Sequence, residues 1–368
     1  MEKKLGYGVL GLGIGRHHAN AAFKLEGCDL IAVCDRRPDR LEKHKREYPD
    51  LYLPADQRSE GASKTNPVIK VYTDYEEMLK DPAIDIVSIA TPSGTHAEYV
   101  CQALRAGKHV LCEKPIDVTL EAAQKIVDCM NETGKKVACV FQNRRIPSVL
   151  AMKKAIDDGR LGKIFAGEFR VNWYRTDDYF ADGGWRGTWA LDGGGSLMNQ
   201  AVHTVDLMQW MMGDVHSVRS VMGLYNHNIE TEDMTKSIVT FKNGAVATFT
   251  STTCAYPGLS TDYCVHGTEG TIEIDAGVVK VWKLKNESDE AMNAEEEAMM
   301  DKETMKNKAA AADPNLVQGH PFHVKDIVEA VRDDRDPYVG PVEAMRALRI
   351  ILAVYESAKN GGKEIILD

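Results

Sequence analysis

The sequence predicts an α/β protein of two domains, the first built on a parallel sheet and the second on a larger, mainly antiparallel sheet. With 368 residues, the chain is too long for one compact domain. Its first half alternates short apolar strands with helices, whereas its second half consists mostly of strands. A glycine-rich turn directly follows the first strand, which is typical of α/β domains that bind dinucleotides.

The composition excludes several classes of partner. The net charge is −10 and no block of lysine and arginine stands out, which disfavours binding to nucleic acid or to anionic lipid. No apolar run reaches the roughly 20 residues of a membrane span. The eight cysteines fall mostly in apolar runs, without a C-x-x-C pair or a secretory leader. This pattern indicates reduced thiols in a cytoplasmic protein and no metal site.

The first strand, Leu5 to Gly11, runs into the turn LGLGIGR. Backbone N–H groups of such a turn, together with the following helix N-terminus, can bind a pyrophosphate. The usual spacing is G-x-G-x-x-G, but here Arg16 stands where the third glycine belongs, so we expect Gly15 to make the close helix–strand contact. The alternative is a simple tight turn. The predicted cofactor-binding residues of this turn are Gly11, Gly13, Ile14, Gly15 and Arg16.

The second strand, Leu30 to Cys34, ends at Asp35, about where a dinucleotide fold places the acid that binds the ribose. Asp35 would accept a hydrogen bond from the 2′-hydroxyl and repel a 2′-phosphate, which favours NAD over NADP. Arg36 and Arg37 weaken this preference, because guanidinium groups can pair with a phosphate or stack on adenine.

Two further strands, Asp85 to Ala90 and His109 to Glu113, are expected to end at the same edge of the sheet. Ligands bind at the carboxyl ends of parallel strands. The residues that should border the cofactor there are Thr91, Pro92, His96, Glu113 and Lys114.

The remaining local signals of this domain are a capping box at Thr73 and Glu76 that opens a short helix, a helix from Leu120 to Met130 and a strand from Val137 to Phe141. We end the dinucleotide-binding domain at residue 142 and assign residues 143–368 to the second domain.

Lys114 is a candidate for the chemistry. A partly desolvated lysine near a dinucleotide can stabilise the alkoxide that forms when an alcohol loses its proton. The alternative is a solvated loop residue. The following proline restricts its backbone and favours a cis bond more than other residues do.

The most distinctive stretch runs from Trp185 to Asp206 and contains three consecutive glycines, Gly193 to Gly195. Asn199, His203 and Asp206 follow at offsets of four and three, which would place them on one helix face. The glycines would let a ligand approach closely, with the His203 imidazole held beside it. The alternative is a turn into a core helix that carries one buried, hydrogen-bonded histidine.

The second half predicts one antiparallel sheet of about six or seven strands, with a hairpin turn at Asn243-Gly244. The predicted strands are Phe169 to Tyr174, Val218 to Tyr225, Lys236 to Phe241, Ala245 to Ser251, Tyr263 to His266, Thr271 to Asp275 and Val279 to Leu284. Residues 286–312 read as an acidic helical insertion, a solvated helix or else a lid or subunit contact. Pro341 should begin the final helix, and Gly361 should end it.

Aromatic and arginine side chains crowd the approach to the glycines. Aromatic faces and guanidinium groups suit sugar C–H surfaces, hydroxyls and carboxylates, although such a cluster could equally be core and interface. Its members are Trp173, Tyr174, Arg175, Tyr179, Trp185, Arg186 and Trp189, of which Tyr174 and Arg175 are predicted substrate contacts.

Together, these motifs resemble the Gfo/Idh/MocA family (glucose-fructose oxidoreductase, inositol dehydrogenase and rhizopine catabolism) of nicotinamide-dependent dehydrogenases. The resemblance rests on the turn from Gly11 to Arg16 with His18, Asp35, TPSGTH, AGKHVLCEKP, QNRR, WRGTW, GGGSLMNQAVHTVD and YESAKNGG, in that order along nearly the whole chain.

The resemblance implies an N-terminal Rossmann domain and a C-terminal α/β domain with a large open, mainly antiparallel sheet, through which a homodimer or homotetramer often forms. It implies sugar, cyclitol or polyol substrates. It would place Asn143, Trp185 and Arg186 against the cofactor and His320 near the substrate.

The resulting hypothesis is an NAD(P)-dependent oxidoreductase that acts on a secondary hydroxyl or ketone. His203 would be the general base, and Lys114 would stabilise the alkoxide. The family pattern has Asp four residues before the histidine, whereas this chain has Asn199, which can orient a hydroxyl but cannot accept its proton. The alternatives are an NAD-dependent glycoside-cleaving enzyme that oxidises its substrate transiently, and a non-enzymatic NAD-binding regulator.

Overall fold

A computed structural model describes residues 4–181, 184–288 and 319–367. These residues form two compact units. One comprises the described residues of 1–140 and 319–345, and the other comprises those of 141–318 and 346–368. The two-domain α/β architecture predicted from the sequence is confirmed.

Strands and helices alternate through the first unit. The elements are β1 (Leu5–Leu10), α1 (Gly15–Lys24), β2 (Cys28–Cys34), α2 (Pro38–Glu47), β3 (Lys70–Tyr72), α3 (Tyr75–Leu79), β4 (Ile86–Ile89), α4 (His96–Arg105), β5 (His109–Cys112), α5 (Leu120–Thr133) and β6 (Val137–Cys139).

The six strands of this unit form one parallel sheet in the order β3-β2-β1-β4-β5-β6. The strands at the centre are mostly apolar, which suits a parallel sheet because helices can cover both of its faces. Accordingly, every residue of β4 is buried. The strand order reverses between β1 and β4, and this switch point is where such sheets bind their ligands.

The second unit contains α6 (Pro147–Asp157), β7 (Ile164–Asn172), α7 (Asp177–Ala181), a π-helical turn (Ser196–Gln200), α8 (Val202–Met212), β8 (Val215–Gly223), β9 (Met234–Phe241), β10 (Val246–Thr252), β11 (Thr261–Gly267), β12 (Gly270–Asp275) and β13 (Val278–Leu284). The chain continues after the undescribed residues with α9 (His320–Arg332), α10 (Pro341–Lys359) and β14 (Ile365–Ile366).

The described part of the second unit forms an eight-stranded sheet in the order β13-β12-β11-β7-β10-β9-β8-β14. Every pair is antiparallel except β7 and β10. The prediction of six or seven strands missed β14, because its two residues carry too little pattern to be recognised. β7 begins at Ile164, five residues before the predicted start.

Helix α9 belongs to the first unit, although the sequence-based division assigned every residue after 142 to the second domain. Its apolar residues Val324, Ile327 and Val328 join the same core cluster as Ala19 and Phe23 of α1. Because this face is buried against α1, the first unit consists of two separate stretches of the chain. A single boundary in the sequence cannot describe such a division.

Other local predictions had mixed outcomes. Asp74, rather than Thr73, caps α3, because its carboxylate accepts from the N–H groups of Glu76 and Glu77. The Lys114–Pro115 peptide bond is cis. Most of the predicted acidic insertion, residues 289–312, lies outside the described residues.

The eight cysteines are free thiols, and seven of them are buried. Among the described residues, no helix combines the length and the apolar character needed to cross a bilayer.

Candidate active site

The glycine turn of the first unit follows β1 and leads into α1. At Gly11 (φ +87°), a Cβ atom would lie 2.4 Å from the carbonyl oxygen of Ala90. At Gly15 it would lie 2.9 Å from Val9 Cγ1 and 3.0 Å from Ala90 Cβ. Gly15 therefore makes the close helix–strand contact that we expected from the shortened motif.

Gly13 differs from the other two glycines. A Cβ atom there would have Arg40 Nη1, at 4.0 Å, as its nearest neighbour, so the turn is open on this side. The Arg16 guanidinium folds back and donates to the carbonyl of Gly13 at 3.2 Å. The turn and the N-terminus of α1, next to Ile14, thus leave room for an anionic group.

The Asp35 carboxylate follows β2 and is 4% exposed. It accepts from the N–H groups of Leu12 at 2.8 Å and Arg37 at 2.9 Å. A carboxylate has more acceptor sites than these two bonds use, so it can still accept from a ribose hydroxyl. Arg36 is exposed at this edge, whereas Arg37 pairs with Asp39.

The loops after β4 and β5 are tied together by His96, which is 1% exposed. Its Nδ1 lies 2.8 Å from the carbonyl oxygen of Pro115, and its Nε2 lies 3.0 Å from that of Thr91. Pro92 directly precedes the short 3-10 turn Ser93–Thr95, which leads to His96. The ring of His96 therefore holds the two loops at the sheet edge in place.

A buried polar network lies beneath Lys114. Glu113 Oε1 accepts from His18 Nε2 at 2.9 Å and from His320 Nε2 at 3.1 Å, and Oε2 accepts from the N–H of Lys114 at 3.1 Å. On the other side of His18, Nδ1 lies 3.0 Å from Ser88 Oγ. Although burial alone would raise it, the hydrogen bonds from the two histidines hold the pKa of Glu113 well below its usual range.

This network contains two of the predicted site residues. Glu113, expected to border the cofactor, and His320, expected near the substrate, are 4% and 3% exposed and bind each other in the interior of the first unit. Through Glu113, this pair is hydrogen-bonded to the backbone of Lys114, and the predicted contacts of Glu113 with the cofactor and of His320 with the substrate stay predictions. Burial lowers the pKa of His320.

In the second unit, the glycine run is enforced by the side chains and backbone behind it. A Cβ atom at Gly194 would lie 2.0 Å from the Tyr355 hydroxyl, and one at Gly195 would lie 1.9 Å from the carbonyl oxygen of Glu232. Gly193 has φ +76°, a conformation that favours glycine. The sequence interpretation, that these glycines admit a ligand, missed this internal cause.

Glu232 was not predicted, yet it organises this turn. Its Oε1 accepts from the N–H of Leu197 at 2.8 Å, from the Tyr355 hydroxyl at 3.2 Å and from Ser196 Oγ at 3.3 Å, and its Oε2 accepts from the N–H of Gly195 at 3.0 Å. Burial raises the pKa of Glu232 to about 7. No local pattern marks it, because its partners lie more than 30 residues away.

The segment from Asn199 to Asp206 is not the single helix that the spacing predicted. Residues Ser196–Gln200 form a π-helical turn, and α8 begins at Val202. His203 is 8% exposed and its ring meets that of Phe141 edge-on at 5.8 Å. Asp206 forms a buried bidentate ion pair with Arg144, with donor–acceptor distances of 2.7 and 2.5 Å.

Five of the seven side chains in the predicted aromatic and arginine cluster contact one another. The Tyr179 ring contacts two guanidinium groups, that of Arg186 at 4.4 Å and that of Arg175 at 5.3 Å from the ring centroid. Arg186 also lies over Trp185, and Arg175 over Trp173. Burial lowers the pKa of Arg175 and raises that of Tyr179.

Other predicted residues lie apart from this cluster or at its margin. Tyr174 meets Tyr256 edge-on, while Trp189 packs against Tyr355 and under Lys359. Asn143 lies half-buried in the short 3-10 turn Gln142–Arg145.

Two groups of side chains in the described residues bring metal-ligand types of atom within 4.8 Å of one another: His18, Glu113 and His320, and His227, Asp233 and Cys254. Hydrogen bonds account for both arrangements. His227 Nε2 donates to the carbonyl of Arg175 at 2.9 Å, and Asp233 Oδ2 accepts from the N–H of Asn226 at 2.8 Å.

Comparison with protein families gives two matches, one to each domain. Residues 5–141 match the oxidoreductase family model described as an NAD-binding Rossmann fold, and residues 153–365 match the C-terminal α/β domain of the same family (GFO_IDH_MocA).

Individual relatives are distant. A levoglucosan dehydrogenase from Pseudarthrobacter phenanthrenivorans is 28% identical over 226 residues, which cover 54% of this chain and 57% of that enzyme. An NADP-dependent scyllo-inositol 2-dehydrogenase from Bacillus subtilis is 25% identical over 96% of this chain and 93% of its own length.

Among solved structures, the WlbA dehydrogenase from Bordetella pertussis, in complex with NADH and UDP-GlcNAcA, is 28% identical. It superposes with a TM-score of 0.86 over 100% of this chain and 99% of that chain.

Proposed function

We infer the function of this chain from the family to which it belongs, the Gfo/Idh/MocA oxidoreductases, whose two domain models together cover most of its length. We propose that it is an NAD(P)-dependent dehydrogenase or reductase that acts on a secondary hydroxyl, or the corresponding ketone, of a sugar, cyclitol or sugar derivative. The relatives named for levoglucosan and scyllo-inositol, and the WlbA dehydrogenase solved in complex with UDP-GlcNAcA, support this substrate class.

One observation carries the proposal. Lys114 follows the carboxyl end of β5 at the same edge of the first sheet at which the glycine turn leaves β1 and Asp35 leaves β2. The residues present fit a dinucleotide, because the turn is open at Gly13 and Asp35 retains free acceptor capacity. When bound there, the nicotinamide would supply the hydride acceptor or donor.

The protein's own residues would handle the proton and the developing charge. Lys114 would stabilise the alkoxide, and the Glu113 network would hold its backbone in place. His203 would accept the hydroxyl proton as general base. The amide of Asn199 would orient the hydroxyl, since it cannot take up a proton itself.

The test is a panel of sugars, inositols and uronates assayed with NAD and NADP in parallel. We expect Lys114→Ala and His203→Ala to lower kcat on the order of 100-fold or more while NADH binding, followed by fluorescence, persists. Lys24→Ala and His216→Ala, two exposed positions, are the matched controls. Near-normal turnover in either site variant would refute its assigned role.

The same panel separates the two alternative functions. Product formation without accumulation of free NADH would indicate cleavage through transient oxidation. Failure of the wild type to turn over any substrate, with NADH still bound, would favour a regulator.

We further propose a cytoplasmic homodimer or homotetramer formed through the open sheet face of the second unit. Eight free cysteines support a reducing compartment. The side chains of Ile238 and Val246 on neighbouring strands are 51% and 42% exposed, which supports burial of that face by another copy. Light scattering on the wild type and on Ile238→Arg would test this.

A further inference from the structure

The amide of Asn199 is held at both ends by partners that fix its direction. Its Nδ2 donates to Asp192 Oδ1, and its Oδ1 accepts from Gln200 Nε2 at 3.0 Å. Because a carboxylate can only accept and an amide NH₂ can only donate, the opposite orientation of the Asn199 side chain would lose both bonds.

The chain of hydrogen bonds extends beyond Asn199 in both directions. Arg175 Nε and Nη2 donate to Gln200 Oε1 at 3.1 and 2.9 Å. At the other end, Asp192 Oδ2 accepts from the N–H of Gly187 at 2.8 Å, and the residue is 1% exposed. Two amides thus connect a guanidinium to a carboxylate, each donating toward the anionic end.

The charged groups at the two ends polarise the hydrogen bonds of this chain. The cation at one end and the anion at the other favour the same direction for every bond between them, which strengthens each bond and leaves one arrangement of the amides. The second donor bond of Gln200 Nε2, to the Tyr179 hydroxyl at 2.6 Å, joins the aromatic cluster to this chain.

We propose that Asp192 is a positioning residue of the active site, the anionic end of the chain Arg175–Gln200–Asn199–Asp192, and that it orients the Asn199 amide toward the substrate hydroxyl. This inference rests on the proposed function for its catalytic part. According to this proposal, the one carboxylate of the chain is at position 192. Its charge determines that position 199 carries a neutral amide.

The dependence follows from charge. An aspartate at 199 would set a second carboxylate at hydrogen-bond distance from that of Asp192 in a buried site. Two such carboxylates cannot both ionise without a large penalty, so the pair would retain a proton. The titratable and charged groups around this pair within the second unit include Tyr179 and Tyr355, Arg175 on Gln200, and Arg186 over the Tyr179 ring. All four are the same in the wild type and in the variants.

The test uses Asn199→Asp, Asp192→Asn and the double exchange. The exchange restores one carboxylate and one amide, with the Gly187 N–H now donating to the amide oxygen at 192 and Gln200 still donating to position 199. Asn199→Ser, which removes the amide without adding charge, and Asn228→Asp, which adds a charge at an exposed position, are the controls.

The first readout, the thermal unfolding midpoint between pH 5 and pH 8, does not depend on activity. The added carboxyl of Asn199→Asp has a folded pKa above its unfolded value, so its penalty is absent below the unfolded pKa, grows as the pH rises from that value to the folded pKa, and is constant above it. We expect a deficit of about 5 °C at pH 8 that narrows toward pH 5. The exchange and both controls should lack this pH dependence.

The second readout is turnover. Each single variant should lose on the order of 10- to 100-fold in kcat, and the exchange should recover most of the loss. The proposal would be overturned if the unfolding midpoint of Asn199→Asp were lowered equally at every pH. It would also be overturned if the kcat of the double exchange were no higher than the two single losses combined predict. If the wild type turns over no substrate, the proposed function fails, while the unfolding midpoints still decide whether the pair is coupled.

Discussion

The pH dependence of stability is expected to change when Glu232 is replaced by glutamine. Glu232 is 3% exposed, and burial raises its pKa from the ordinary value of 4.5 to about 7. The folded protein therefore holds this proton over a pH range in which the unfolded chain has already released it.

The sign follows from the proton count. Between pH 4.5 and 7 the folded state binds more protons at this site than the unfolded state does, so stability falls as the pH rises. A difference of about 2.5 pH units, at about 1.4 kcal/mol each, corresponds to roughly 3 kcal/mol of unfolding free energy lost across this window.

Glutamine at position 232 does not titrate, but it places a hydrogen-bond donor where the carboxylate had an acceptor. Its NH₂ group must face one of the N–H donors of Gly195 or Leu197, and a buried donor left without an acceptor costs about 1 to 3 kcal/mol. Glu232→Gln should therefore be less stable than the wild type at pH 5, with the deficit shrinking or reversing by pH 8.

Urea unfolding at pH 5, 6, 7 and 8 measures this difference directly. Glu356→Gln, the same substitution at an exposed position of α10, is the matched control and should give a difference that does not vary with pH. A constant difference for Glu232→Gln as well would refute the inference that burial keeps this carboxyl protonated near neutral pH.

Three further outcomes follow from packing and charge. Gly15→Ala should lower stability by about 1 to 3 kcal/mol in urea unfolding, since its Cβ would overlap neighbouring atoms, whereas Gly13→Ala should fold normally and weaken NADH binding. Asp206→Ala leaves Arg144 as a buried cation and should cost about 3 to 5 kcal/mol; a loss below 1 kcal/mol would contradict this. Asp35→Ser should raise the Kd for NADH about tenfold and reduce the preference for NAD over NADP, measured by fluorescence titration with both cofactors.

The first unit could be predicted closely from the sequence because its signals are local. Strand, turn and helix follow one another within a few residues at Gly11 to Gly15, and Gly11 and Gly15 are required by atoms of Val9 and Ala90. The position of Asp35 at the end of β2 follows from the same strand–turn pattern. What could not be predicted is the return of α9, since the burial of one apolar face against α1 depends on the finished fold.

The second unit was predicted less well where its contacts are distant in sequence. The i, i+4 spacing of Asn199 and His203 indicated one helix, but the chain forms a π-helical turn there, in which the N–H of Ala201 donates to the carbonyl of Ser196. The buried carboxylate of Glu232 binds the start of this turn from a loop 35 residues further on. No periodicity in the segment itself carries that information.

The three glycines illustrate how a motif can be specific for a site without describing what the site binds. A Cβ at Gly194 or Gly195 would overlap Tyr355 or the backbone of Glu232, so the run is required by the interior of the second unit. The glycine run fixes the backbone of the turn that carries Asn199, and Asn199 in turn donates to Asp192. The glycines therefore fix the geometry of the polar chain, and alanine at Gly194 or Gly195 should lower the free energy of unfolding as well as kcat, because the added Cβ would overlap buried atoms.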